Sequence, residues 1–127
     1  MTDAHKVDKS TGLRHLWHAT RNSTRGIAAA LRNESAFRQL TFLTVVLTPV
    51  GIALGRSGVE RALLVGSLFL TLIVELLNSG IEAVVDRVGL ERHVLSGLAK
   101  DIASAAVGLS ILNVAIVWTL VLAPHYL

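Results

Sequence analysis

The most constraining feature of the sequence is a long apolar run, residues 62–85, whose second half carries carboxylates. An α-helix needs ~20 apolar residues to cross a bilayer, so the run is long enough to span. Glu75, Asn78 and Glu82 follow at steps of three and four. With Asp86 four residues later, they lie on one helical face. Because an acid at the centre of a membrane helix costs about 2.5–3.5 kcal/mol on insertion scales, we treat this stripe as a candidate functional site.

The composition supports a membrane protein. Hydrophobic residues make up 52% of the 127 residues and charged residues 17%, which is too apolar for an ordinary soluble domain of one-domain length. The chain contains no cysteine, which excludes disulfides, thiol redox chemistry and thiolate metal sites. We therefore predict a single membrane-embedded domain, residues 1–127, of the all-α class.

The chain before the first span divides into two parts. Residues 1–11 form a polar tail without the apolar core of a signal peptide. Residues 12–33 alternate with helical period between arginines on one side and leucines and a tryptophan on the other, which predicts a basic amphipathic helix lying on the membrane surface. The alternative is a soluble helix packed against a partner.

Three transmembrane helices are predicted, at residues 39–55, 62–85 and 102–123. Residues 33–39 form a polar hinge before the first of them. Ser96 is the predicted N-cap of the helix that contains the third.

The distribution of Lys and Arg predicts the orientation. Seven precede the first span, two lie in the first loop, three lie in the second loop and none follows the third span. The positive-inside rule places the N-terminus and the 86–101 loop in the cytoplasm and the C-terminus outside. At ~1.5 Å per residue, Glu75 lies ~10 Å below the cytoplasmic surface, too deep for its short side chain to reach water.

The chemistry at that interface fits phosphates and a divalent metal. The acidic stripe, Glu34 with Arg38, and Lys100 with Asp101 bring acids, cations and an amide to a similar depth. Hard oxygen ligands hold Mg²⁺, Lys binds phosphoryl oxygens, and a carboxylate accepts a proton from an attacking hydroxyl. Two simpler explanations stay open. Glu34 and Arg38 could form a surface ion pair, and the Lys100 side chain could extend only to place its charge at the membrane interface.

Several functional classes are excluded or disfavoured. The G-x-x-x-x-G-K-[ST] motif of P-loop enzymes and the protein-kinase signatures are absent from the sequence. Nucleic acid is disfavoured as a partner because the basic residues adjoin the spans without interleaved aromatics. An anionic lipid surface accounts for them better.

Three stretches together resemble the small integral-membrane diacylglycerol kinases of Gram-negative bacteria. They are Asn-Glu-Ser-Ala-Phe-Arg-Gln at 33–39, Glu-x-x-Asn-x-x-x-Glu-x-x-x-Asp at 75–86 and Ser-Gly-Leu-Ala-Lys-Asp at 96–101, and the similarity runs from about residue 12 to the end. The resemblance implies a homotrimer with active sites shared between subunits in the inner membrane. It also implies MgATP-dependent phosphorylation of the sn-3 hydroxyl of diacylglycerol to phosphatidate.

The resemblance also implies roles for individual residues. Glu75 resembles the general base and Asn78 supports it, while Glu34 and Glu82 resemble the pair that holds Mg²⁺ on ATP. The implied nucleotide contacts are Glu91, His93, Lys100, Asp101, His15 and Asn22. The implied lipid contacts are Ala36, Phe37, Arg38, Gln39, Ser104 and Trp118.

The chain departs from the family pattern at several positions. His15 replaces a usual arginine, Asn22 and Arg92 replace tyrosines, Leu40 replaces an acid and Gly80 replaces an alanine. Two other functions stay open: a kinase of the same superfamily that acts on a polyprenol, and a small proton-coupled transporter that uses the deepest acid of the stripe. A transporter explains one buried acid but not the acidic stripe that continues to the interface.

Overall fold

The computed structural model describes residues 11–127, and within this range the chain is entirely α-helical apart from short turns. Its four helices are α1 (Leu13–Asn33), α2 (Ser35–Leu54), α3 (Gly58–Val88) and α4 (Val94–Tyr126). The predicted polar tail, residues 1–11, lies outside the described residues except for its last position.

Helices α2, α3 and α4 are each long and apolar enough to cross a membrane. The prediction of an all-α chain with three such helices is therefore confirmed. Helix α3 has 31 residues and α4 has 33, so at ~1.5 Å per residue each measures roughly 45–50 Å. Both exceed the ~30 Å hydrocarbon core, and their ends therefore reach beyond the spans predicted at 62–85 and 102–123.

The junction between α1 and α2 is shorter than the polar hinge predicted at 33–39. Only Glu34 leaves the helical conformation, with φ −114° and ψ 106°, and α2 begins at the next residue. Arg38 Nη1 donates to the carbonyl oxygens of Leu31 at 3.0 Å and Arg32 at 2.9 Å. These carbonyls belong to the last turn of α1 and have no partner within that helix, so the guanidinium ties the two helices together.

Helix α3 is the centre of the bundle and packs against both α2 and α4, while α1 contacts α2 and α3. Thr71 Oγ1 donates to the Ser110 carbonyl oxygen at 3.3 Å, and Trp118 Nε1 donates to the Leu64 carbonyl oxygen at 3.2 Å. A Cβ atom at Gly51 would lie 3.3 Å from Leu64 Cβ and 3.4 Å from Trp118 Cζ2. The absence of a side chain at Gly51 therefore allows α2 to approach both neighbours closely.

The interior of the bundle is rich in polar residues. The buried polar residues are Thr44, Ser67, Thr71, Glu75, Asn78 and Ser110, and the buried apolar ones are Ala30, Phe37, Leu64, Leu68 and Ala103. Many large apolar side chains, such as Phe42, Leu77 and Leu109, are instead exposed along the three long helices. This distribution suits a chain surrounded by lipid or by other membrane helices.

The two ends of the bundle are closed by different contacts. At the end that holds the C-terminus, His125 Nε2 lies 2.6 Å from Glu60 Oε1, and the Tyr126 hydroxyl donates to the Leu54 carbonyl oxygen at 2.9 Å. At the opposite end α4 begins at Val94, earlier than predicted. His93 Nδ1 caps it by accepting the Leu95 N–H at 3.1 Å, so the prediction of Ser96 as N-cap is wrong.

Candidate active site

The polar stripe on α3 runs from the interior of the bundle to its surface. Glu75 is only 4% exposed and Asn78 9% exposed, whereas Glu82 is half-buried and Asp86 is exposed. Residues three or four apart lie one above the other on a helix, so the exposure rises along a single face. The stripe therefore connects the buried carboxylate of Glu75 with the end of α3.

Asn78 links the two carboxylates on either side of it. Its Nδ2 donates to Glu82 Oε1 at 3.4 Å, and the same side chain interacts with Glu75. Its Oδ1 is buried and has no hydrogen-bond partner in the described part of the chain. A buried acceptor without a donor is costly, so this oxygen is available to a ligand that brings a donor or a positive charge.

Glu34 joins the stripe from the junction between α1 and α2. It is half-buried at the single non-helical residue of that junction, and its charge and that of Glu82 both act on the Glu75 carboxylate. Glu34, which is distant in the sequence, thus joins Glu75 and Glu82 of α3, and these three residues are called the acidic cluster below. Arg38 donates to the end of α1, and no ion pair joins it to Glu34 within residues 11–127, so the surface-pair explanation is wrong.

Lys100 connects the start of α4 to the end of α3. Its Nζ lies 2.7 Å from Asp86 Oδ1, with side chains 43% and 51% exposed, and the charge of Glu82 also acts on Lys100. An exposed ion pair of this kind contributes little to stability, because water and salt screen it. Its main consequence is therefore the position of an ammonium group close to the acidic cluster.

A cavity of about 520 Å³ lies at the same end of the bundle, where α3 turns into α4. Its charged and ionisable lining residues are Asp86, Glu91, Arg92, His93 and Lys100. The beginning of α4 also lines it, and the positive end of a helix dipole favours negatively charged ligands. The volume of the cavity lies in the usual range of ligand pockets, so the cavity can hold a small anionic ligand.

The family model for prokaryotic diacylglycerol kinase matches residues 21–122. The chain belongs to this family. The diacylglycerol kinase of Pseudomonas aeruginosa is 52% identical over 112 residues, covering 88% of this chain and 91% of the relative. That of Haemophilus influenzae is 47% identical over 110 residues, covering 87% and 93%. That of Escherichia coli K12 is 42% identical over 120 residues, covering 94% and 98%.

Membership of the diacylglycerol kinase family confirms the resemblance drawn from the three sequence stretches. Together with the three long apolar helices, it makes this chain a membrane protein and a lipid kinase. The transporter hypothesis does not account for this family assignment. It would also leave the acids at the end of α3 without a role.

The structure brings together only part of the implied nucleotide site. Glu91, His93 and Lys100 line the 520 Å³ cavity. Asp101, the residue that follows Lys100, is exposed and is not among the lining residues. His15 and Asn22 are exposed on α1 and do not line the cavity within the single chain.

The implied lipid contacts are also dispersed. Arg38 and Gln39 line an open cleft of about 460 Å³ at the start of α2, and Ala36 and Ser104 are exposed. Phe37, in contrast, is 3% exposed and belongs to the interior of the chain.

Trp118 lies far from the acidic cluster. Its indole donates to the Leu64 carbonyl, and Leu64 precedes Glu75 by ~16 Å along α3 at ~1.5 Å per residue. Within one chain, Trp118 therefore holds α4 against α3.

The oxygen donors of the cluster suit a magnesium ion that is bound mainly by phosphates. Residues 11–127 contain no group of three or more His, Asp or Glu side chains placed to hold a metal by themselves. Glu34 and Glu82 nevertheless offer two carboxylates that both act on Glu75, and Asn78, which donates to Glu82, has an unpartnered Oδ1 within the described residues. Because Mg²⁺ typically takes one or two carboxylates and completes its shell with phosphates and water, this donor set fits the ion.

Sequence reasoning missed two features of the site. It placed Asp86 on the stripe without recognising it as the partner of Lys100, fourteen residues further on. It also treated Arg92 only as a departure from the family pattern, whereas the structure shows it lining the cavity. The stripe periodicity was the available signal for Asp86, but no local pattern indicates which loop residues line a cavity.

Proposed function

We propose that the chain transfers the γ-phosphoryl group of ATP to the sn-3 hydroxyl of 1,2-diacylglycerol and produces phosphatidate at the cytoplasmic face of the inner membrane. The observation that carries this proposal is the buried carboxylate of Glu75, on which Glu82 and Glu34 act, on the polar stripe that leads to the end of α3 where the charged cavity lies. A lipid hydroxyl approaches such a carboxylate from the bilayer, while a nucleotide approaches the cavity from water. The relatives named diacylglycerol kinase support this lipid as the substrate.

In the proposed mechanism Glu75 is the general base. Its carboxylate accepts the proton of the lipid hydroxyl while that oxygen forms a bond to the γ-phosphorus. The bond between the γ-phosphorus and the bridging oxygen breaks, and ADP leaves. Asn78 keeps the carboxylates of Glu75 and Glu82 in place, because its side chain interacts with both. Phosphoryl transfer depends mainly on such positioning and on electrostatics.

Glu34 and Glu82 are the proposed ligands of the Mg²⁺ that accompanies ATP. When bound, the ion neutralises charge on the phosphates. The proposal is supported by the action of both charges on Glu75 and by the unpartnered Oδ1 of Asn78, the residue that donates to Glu82.

The remaining contacts divide between the two substrates. Lys100 and the loop before α4 supply charges to the nucleotide, and the start of α2 borders the lipid. The proposed nucleotide contacts are Glu91, His93, Lys100, Asp101, His15 and Asn22. The proposed lipid contacts are Ala36, Phe37, Arg38, Gln39, Ser104 and Trp118.

Helix α1 is proposed to lie in the cytoplasmic membrane interface. Its arginines are exposed, and Leu13, Leu16 and Trp17 on its apolar side are exposed as well, so that side needs an apolar surrounding. The N-terminus is then cytoplasmic and the C-terminus periplasmic, with 39–55, 62–85 and 102–123 inside the hydrocarbon core.

The active unit is proposed to be a homotrimer with sites shared between subunits. Two implied nucleotide contacts on α1, His15 and Asn22, do not line the cavity of their own chain, which is expected if a neighbouring subunit supplies them. The Ser79 hydroxyl is buried without a partner in the described residues, and large apolar side chains cover the outside of the bundle. A second copy packed against the outside of the bundle would bury these apolar side chains and could give the Ser79 hydroxyl a partner.

The proposal is tested by measuring ADP release from MgATP by the purified protein in mixed micelles with dioctanoylglycerol, with undecaprenol, or without lipid. We expect lipid-dependent ADP release only with dioctanoylglycerol, together with an equal amount of dioctanoyl phosphatidate. Turnover with undecaprenol instead would assign the chain to polyprenol phosphorylation. ADP release that does not depend on any lipid would refute the lipid-kinase proposal.

The metal assignment is tested by Glu82→Gln, with Glu60→Gln as the matched control. Both substitutions remove one carboxylate from α3, but Glu60 lies at the opposite end, where it contacts His125. We expect Glu82→Gln to raise the MgATP requirement and leave the KM for lipid unchanged, while Glu60→Gln changes neither. If only the KM for lipid changed in Glu82→Gln, Glu82 would not be a metal ligand.

A further inference from the structure

Helix α4 carries an amide in the middle of its membrane span. Asn113 lies ten residues from one end of the predicted span 102–123 and eleven from the other, so it is roughly 15 Å from either end at ~1.5 Å per residue. It is half-buried, and its side chain makes no hydrogen bond within residues 11–127. The hydrocarbon core holds no water for such a group, so the partner of this amide has to come from another molecule.

The apolar neighbours of Asn113 on the same face of α4 are exposed. Leu109, Ile116 and Leu120 have exposed fractions of 67%, 48% and 70%, and with Asn113 they are called the α4 seam. They follow one another at steps of four, three and four, which places them along one side of the helix. Helix α4 packs mainly against α3, so the chain itself leaves this seam largely uncovered.

We propose that the α4 seam packs against a second copy of the chain and that Asn113 forms a hydrogen bond across this contact, an inference that rests on the proposed homotrimer. Acyl chains cover apolar side chains as well as a protein does, but they offer no partner to an amide. The Asn113 side chain has both donors and an acceptor, so a hydroxyl, a carbonyl or an amide of the neighbouring copy can satisfy it. A single Asn within an apolar seam also fixes the register and the number of subunits in helical oligomers.

A second copy is the expected partner because the proposed active site is incomplete in one chain. His15 and Asn22 do not line the cavity of their own chain, so a neighbour is already needed there. In a closed ring of identical subunits, every copy presents its α4 seam at the same depth in the bilayer. One kind of contact therefore gives each Asn113 a partner.

The sign of one substitution distinguishes this contact from a seam that faces lipid. Lipid tails are as apolar as leucine, so Asn113→Leu removes the hydrogen bond between copies without a hydrophobic gain. We expect the protein concentration at half-dissociation to rise about tenfold. Asn113→Gln keeps the amide and should stay close to the wild type. Thr119→Leu is the matched control, because Thr119 is an exposed polar residue of α4 outside the seam.

Sedimentation equilibrium in density-matched detergent micelles measures this association for the wild type and the three variants. Weaker association in Asn113→Leu alone supports the inference. Equal association in all four proteins, stronger association in Asn113→Leu, or an equal loss in Thr119→Leu overturns it while leaving the proposed function intact. A wild type that sediments as one chain overturns both this inference and the proposed homotrimer, and ADP release then judges phosphoryl transfer separately.

A spin label tests directly whether the seam is covered. The chain contains no cysteine, so a nitroxide can be attached to one introduced cysteine. Leu109→Cys places it in the seam and Leu112→Cys places it on another side of α4, and the two leucines are 67% and 53% exposed within one chain. We expect less frequent collision with oxygen dissolved in the lipid at position 109 than at position 112. A label that dissociates the subunits only at position 109 also supports the inference, whereas equal collision rates overturn it.

Discussion

Replacing Glu75 by glutamine separates chemistry from packing, because the two side chains have nearly the same size and only the carboxylate is a base. A positioned general base contributes about 10²–10⁴-fold to a rate. Glu75 is 4% exposed, so bulk water cannot take its place as proton acceptor. We therefore expect kcat to fall about 10⁴-fold, which corresponds to about 5 kcal/mol in the activation barrier, with both KM values largely kept.

The same substitution is expected to stabilise the fold. The Asn78 side chain interacts with Glu75, and its Oδ1 is buried without a partner in the described residues, so a glutamine amide at position 75 can supply the missing N–H donor. One such hydrogen bond contributes about 1 kcal/mol. Loss of a negative charge close to Glu34 and Glu82 acts in the same direction. The expected increase in the free energy of unfolding is therefore about 1 kcal/mol or more.

Two assays on the same preparation test these expectations. ADP release with dioctanoylglycerol gives kcat, and reversible unfolding by SDS in mixed micelles gives the change in unfolding free energy. Near-normal turnover in Glu75→Gln would remove the general base from the mechanism. A loss of activity accompanied by a loss of stability would instead mean that Glu75 is needed for packing, and that its apparent catalytic role follows from misfolding.

Three further substitutions probe other parts of the structure. Lys100→Met removes the exposed contact with Asp86, so the unfolding free energy should stay close to the wild-type value while the KM for MgATP rises. A clear loss of stability with an unchanged KM would instead make Lys100 a structural residue. Gly51→Ala should lower the unfolding free energy by about 1–3 kcal/mol, because the added methyl group overpacks the contact with Leu64 and Trp118. Gly26→Ala is the control and should not lower it, because the added methyl group meets open space. Equal losses in the two variants would contradict the close approach of α2. His125→Ala should lower the unfolding free energy slightly with kcat unchanged, because it removes the contact with Glu60 far from the acidic cluster. A fall in kcat would couple the C-terminal end of the bundle to catalysis.

The sequence predicted much of the acidic site but not its surroundings. The steps between Glu75, Asn78 and Glu82 are sufficient to place them on one face, since helical periodicity is a local property. The extent of the hinge was not predictable. The hydrogen bonds from Arg38 to the carbonyls at the end of α1 depend on the geometry with which the two helices meet, and that geometry is not a local property of the sequence. The cap of α4 was missed for a related reason: a histidine ring nitrogen replaced the expected hydroxyl three residues earlier.

The sequence by itself determined the class of this protein, the number of long apolar helices and the family. The length of apolar runs, the helical period and short motifs are local properties that can be recognised in the linear sequence. Only the tertiary structure decided that Glu34 joins Glu75 and Glu82, that Lys100 reaches Asp86, and that a cavity opens where α3 meets α4. These contacts join residues far apart in the chain. They depend on the angles and offsets at which helices pack, and side-chain interlocking between helices sets those quantities.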